Sequence, residues 1–158
     1  MQASSTTAAG IALVQAADQL LADHQILMRG LDCHQEWIRQ LSEIGMPRFG
    51  ELAGRLRAFR NDLEQHFKAE ENCSQMLHAA TEEISESDPN GNRLHSQLLD
   101  RLNTLTQRLT RGLDEFTGWN AAVDEVRSLI AEICEHERRE MDALRKVRSI
   151  PAPTHISS

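Results

Sequence analysis

The chain has 158 residues, a net charge of −7 and 40% apolar residues, but only 4% aromatics and no tyrosine. One domain with a single core fits that length, and the acidic balance argues against nucleic acid or an anionic membrane as the main partner. A composition led by Leu, Ile and Ala favours packed helices over a sheet of β-branched and aromatic residues.

The opening stretch, residues 1–10, is small and polar with no basic leader, and is expected to be a flexible arm rather than a secretory signal. From Leu13 onward apolar residues recur at alternating steps of three and four, the period of a packed helix. The first stripe is Leu13, Ala17, Leu20, His24, Leu27, Leu31, His34, Ile38 and Leu41, and it stops at Gly45-Met46-Pro47, where glycine ends helices and proline starts them. A second runs Phe49, Leu52, Leu56, Phe59, Leu63, His66, Glu70, Cys73 and Leu77. Ser85 to Gly91 is polar and rich in breakers, and reads as a loop. The third stripe is His95, Leu98, Leu102, Leu105 and Leu109, running toward Phe116, with Gly118 and Asn120 marking the next turn. Val126, Leu129, Ile133, His136, Glu140, Leu144 and Val147 make the fourth. Residues 150–158 read as a flexible tail.

These stripes predict an all-α chain, an antiparallel up-down four-helix bundle over residues 11–149. Cys33, Cys73 and Cys134 are odd in number and widely spaced, which suggests reduced thiols in the cytoplasm rather than a disulfide framework. No run approaches the length of a membrane span. Exposed helix flanks leave a homodimer open.

Ionisable residues stand in the stripes where leucine would be expected, and burying an uncompensated polar group costs roughly 2–7 kcal/mol. The chain also repeats. His24 is followed 42 residues later by His66-x-x-x-Glu70, and His95 is followed 41 residues later by His136-x-x-x-Glu140. Residues i and i+4 share one helix face about 6 Å apart, so each histidine–glutamate pair can reach one point.

The levels agree as well. His24 lies 22 residues before the turn at Met46 and His66 lies 20 after it; His95 lies 21 before Phe116 and His136 lies 20 after it. A third H-x-x-x-E, His78 to Glu82, has only His34 as an upstream partner, and the same count sets those two about 30 Å apart. His24, His66, Glu70, His95, His136 and Glu140 are therefore the expected metal ligands. Four imidazoles and two carboxylates suit two borderline-hard cations, iron or less readily manganese; structural zinc more often recruits thiolates. Leu27, Met28, Leu31, Leu63, Leu98, Leu99, Leu102, Ile133 and Leu144 are expected to wall an apolar pocket. Cys73, three residues beyond Glu70, reads as a small buried hydrophobe.

These residues resemble the hemerythrin-like family, or HHE cation-binding domain, over roughly Leu20 to Val147. The resemblance implies a non-haem di-iron centre (Fe2+/Fe3+), bridged by the two glutamates and an oxo or hydroxo group. It also implies a small gaseous or peroxide ligand: O2, NO or H2O2 bound or consumed by a carrier, sensor or stress-response protein. The alternatives it carries are a di-iron redox enzyme, peroxide-removing or oxidase, and an iron donor for iron–sulfur cluster repair. Oxygen carriers of the family show H-x-x-x-H on the third helix, whereas here Leu99 follows His95 at +4 and Gly91 precedes it at −4. A metal-free bundle used for interaction is the third reading.

Overall fold

The computed structural model describes residues 3–81 and 89–149. Four helices carry the chain: α1 (Ala3–Ile44), α2 (Phe49–Thr81), α3 (Pro89–Arg111) and α4 (Trp119–Arg148), with a single 3-10 turn, Gly112–Asp114, between the last two. Helix α1 packs on α2 and α4, and α3 closes the ring by packing on α2 and α4. The result is a four-helix bundle.

Its starts and stops follow from local chemistry. Gly45 takes a left-handed φ of 69°, and its amide donates to the Leu41 carbonyl at 3.0 Å, which ends α1. Gly112, at φ 62°, does the same work after α3. Two boundaries differ from the sequence reading. Helix α1 begins at Ala3, inside the stretch expected as an arm; no proline interrupts it, and the alanines on both sides of Gly10 offset the cost of that one glycine. Helix α3 begins at Pro89, inside the expected loop, since proline suits the first helical position and has no amide hydrogen to leave unpaired. The expected tail and Glu82 of the third H-x-x-x-E lie outside the described residues.

The main core runs from Leu27 to Leu41 on α1 and Leu52 to Phe67 on α2, and from Leu98 to Leu109 on α3 and Trp119 to Ile133 on α4. At the end holding the α1–α2 and α3–α4 connections, Phe49 meets the Trp119 ring edge-on at 5.3 Å and stacks near Phe116 at 6.2 Å. Arg108 lies over Phe116 and pairs with Glu125, and Arg101 forks onto Glu132, so two ion pairs join α3 to α4.

A smaller apolar cluster of Ala17, Leu20 and Cys73, with Leu13 and Leu144 against it, lies beyond the histidines on α1, α2 and α4. The histidines thus form a polar layer between two apolar ones. Among the described residues no helix is long and apolar enough to cross a membrane.

Candidate metal centre

Each helix contributes one histidine to this layer: His24 from α1, His66 from α2, His95 from α3 and His136 from α4, all of them buried. The three-and-four spacing that buries leucines on either side leaves these side chains only 5–7% exposed, so they must find partners inside the bundle.

They form two groups. His24 Nδ1 and His66 Nε2 both reach Glu137 Oε2, at 2.9 and 2.8 Å. In the second group, His95 Nε2 stands 2.9 Å from His136 Nε2, and Glu70 Oε2 lies 3.2 Å from His95 Nε2 and 3.9 Å from His136 Nε2. Glu70 spans both groups, since its Oε1 lies 3.0 Å from His66 Nε2. Within each group the nitrogen and oxygen atoms lie within 4.8 Å of one another.

The neighbours hold these rings in place. Phe67 stacks flat on His95, centroids 4.0 Å apart and planes 6° from parallel, and meets His136 edge-on at 5.5 Å. On the outer side of His95, Nδ1 faces Glu71 Oε1 at 3.0 Å, the arrangement by which a carboxylate fixes the orientation of a ligating imidazole.

Electrostatics follow from the crowding. Burial pulls the His66 imidazole down, but the hydrogen bonds to Glu137 and Glu70 and the charges of both outweigh it and lift the ring to about 10. Burial likewise opposes ionisation of Glu70, and His136, His66 and His95 reverse that, holding its carboxyl well below the usual range. Glu137 is lowered too, against burial, by His24 and His66. Glu140 goes the other way: burial and the charge of Glu70 raise it. Burial, with Glu70 nearby, also pushes the Cys73 thiol up.

In this layer two buried carboxylate oxygens, Glu137 Oε1 and Glu70 Oε2, have no hydrogen-bond partner. Glu70 Oε2 is close to two imidazoles without being aligned for a hydrogen bond to either. Two ring nitrogens facing each other at 2.9 Å share at most one proton between them. Lone pairs left over at this density are what a cation satisfies, and nitrogen with oxygen donors suits a transition metal ion.

Of the six residues expected as ligands, the structure brings five together: His24, His66, Glu70, His95 and His136. Glu140 joins neither group; it is half-buried and borders a cavity beside Glu70. Glu137 stands in the first group instead. The sequence offered only an indirect hint, the apolar Phe67 at the matching seat of the repeat; the structure buries both.

The expected pocket walls also differ. Leu27, Leu31, Leu63, Leu98, Leu102 and Ile133 are packed into the main core, with Met28 and Leu99 against it. The cavity that reaches the carboxylates measures about 130 Å³ and is lined on its far side by Leu13, Ala17, Leu20, Cys73, Leu77 and Leu144. His34 lies outside both groups, with its ring edge-on to Phe59 at 5.7 Å. Cys33, Cys73 and Cys134 are free thiols, and only Cys73 is buried.

Fold and layer together define a helical bundle with paired histidine–carboxylate groups that fit bound metal. The profile of the Hemerythrin HHE cation binding domain matches residues 15–145, and the chain belongs to that family. No curated protein and no solved structure gives a significant match to the chain.

Proposed function

We propose that this chain is a non-haem di-iron protein that binds or reacts with a small diatomic or peroxide ligand, O2, NO or H2O2. The observation that carries the reading is Glu70, whose two oxygens face one histidine group each, as a carboxylate shared by two cations would. His24 with His66 and His95 with His136 would hold one ion each, completed by carboxylates from α2 and α4. Iron bound there would supply a Lewis-acidic, redox-active centre open to a small ligand.

The protein's own contribution is orientation and exclusion of water. Phe67 and Glu71 fix the plane and the tautomer of His95, and the leucine layers on both sides keep bulk solvent from the nitrogens. The cavity beside Glu70 and Glu140 is mostly apolar and admits only a molecule of a few heavy atoms, which favours weakly polar gases and peroxide over larger substrates.

Metal analysis and spectroscopy test this. Protein purified anaerobically is expected to carry two irons per chain, and its ultraviolet–visible spectrum is expected to change on adding O2 or NO. Iron-free protein after expression in replete medium, or an unchanged spectrum with both gases, refutes the proposal. Sustained oxygen evolution from H2O2 would mark turnover rather than binding.

A further inference from the structure

We infer that Glu137 is a metal ligand in its own right, private to the His24–His66 position, so that the two metal positions are chemically unequal. The inference rests on the di-metal reading above and goes beyond it, because Glu137 belongs to neither H-x-x-x-E motif.

Phe67 and Glu137 occupy the same seat, directly after the motif histidine, and both are buried almost completely, at 1% and 0% exposure. In the first half that seat is filled by an aromatic ring packed into the core. The bundle therefore has no structural need for a carboxylate there. A charged group at zero exposure costs several kcal/mol unless it is paired or bound to metal.

A single oxygen of Glu137, Oε2, takes both imidazoles of the first group, at 2.9 and 2.8 Å, while Oε1 is buried with no hydrogen-bond partner. Hydrogen bonding alone would be served better by spreading the two imidazoles over both oxygens. Convergence of His24 Nδ1, His66 Nε2 and Glu137 Oε2 on one small volume is the arrangement a cation organises.

Glu70 divides its oxygens between the groups, whereas Glu137 meets only the first. Glu140, the second motif glutamate, meets neither and borders the cavity. One position thus has two imidazoles, its own carboxylate and a share of Glu70. The other has two imidazoles and its share of Glu70, and so keeps more of its coordination free. Cations should load in two steps, the first position filling more tightly because it carries one more negative charge.

Anaerobic titration of the metal-free full chain with Fe2+ tests this, by calorimetry together with metal content after desalting. The wild type is expected to bind two equivalents in two resolved steps. Glu137→Gln, which keeps shape and removes charge, should weaken the tighter step on the order of tenfold or more. Glu132→Gln, an exposed α4 carboxylate paired with Arg101 away from both groups, should leave both steps unchanged. If Glu137→Gln fails to fold by circular dichroism, Glu137→Asp replaces it: the charge stays but the donor is withdrawn, and the tighter step should again weaken. A Glu137 variant that binds two equivalents with both wild-type affinities overturns the inference and leaves the di-iron reading standing. A wild type that binds no Fe2+ overturns both.

Discussion

Phe67 carries the plane of His95 on its own ring, so replacing it tests how the apolar core sets the metal layer. Truncation to alanine would cost about 3–5 kcal/mol, a large part of the roughly 5–15 kcal/mol that holds a domain together. Leucine is the sharper probe. Phe67→Leu keeps most of the buried volume and removes three aromatic contacts: the flat one at 4.0 Å with His95, the edge-on one at 5.5 Å with His136 and a looser, tilted one at 6.5 Å with His66. Aromatic pairs contribute about 0.5–1.5 kcal/mol beyond burial, and an imperfect refit adds up to about 1.5 kcal/mol. A loss of about 1–3 kcal/mol is therefore expected in urea unfolding of the metal-free protein, seen as a lower midpoint at unchanged slope. Fe2+ titration should show the larger loss of affinity at the His95–His136 position, whose rings lie nearer Phe67 than His66 does. Phe59→Leu is the control, because its ring touches His34, outside both groups, and should cost stability without changing metal binding. Equal metal binding by Phe67→Leu and wild type would refute the positioning role.

Metal-free protein should lose stability as pH rises from 6.5 toward 10, because folded His66 holds its proton to about 10 and the unfolded residue releases it near 6.5. Glu70, lowered in the folded state, contributes stability above about pH 4.5 that is lost on further acidification, so Tm should peak between these limits. A Tm flat from pH 6.5 to 10 would contradict the His66 geometry. The triple replacement His24→Leu, His66→Leu, Glu137→Leu should abolish one metal equivalent. It should leave metal-free stability neutral or raised by about 1–4 kcal/mol in urea unfolding, since a buried ionic group is exchanged for packing. Gly112→Ala should cost about 1–2 kcal/mol by the same assay. The cause is the left-handed backbone and not a clash, because the added methyl would meet Phe49 no closer than 3.6 Å.

The bundle was legible because its signal is periodic. Leu20, Leu31, Leu56, Leu63, Leu102 and Ile133 repeat at one face and are all buried. The histidines were legible for the same reason, as polar residues seated where leucine belongs. The place of Glu137 beside His24 and His66 was not, because a stripe one residue wide treats the seat after His136 as a flank. The helices bury a broader face, as Phe67, Val123 and Ile130 also show. Assigning the α4 carboxylate by motif spacing selected Glu140, one turn farther along, which the fold sets beside the cavity. Boundaries were hardest to read where the chemistry is ambiguous. Pro89 can end a loop or begin a helix, and the Ala-Ser-Thr stretch before Gly10 can do either as well.

The polar layer cuts the interior in two, and the smaller part, built on Ala17, Leu20 and Cys73, has little apolar area with which to hold three helices together. Its grip on the remainder of the bundle passes through the histidines and Glu70. Cations seated there would tie the helix ends of α1, α2 and α4 to the larger core, and their loss would release those ends to open on their own. Amide exchange near Leu20, Cys73 and Leu144 would then report metal loading, while amides around Leu56 and Leu102 would stay slow in either state.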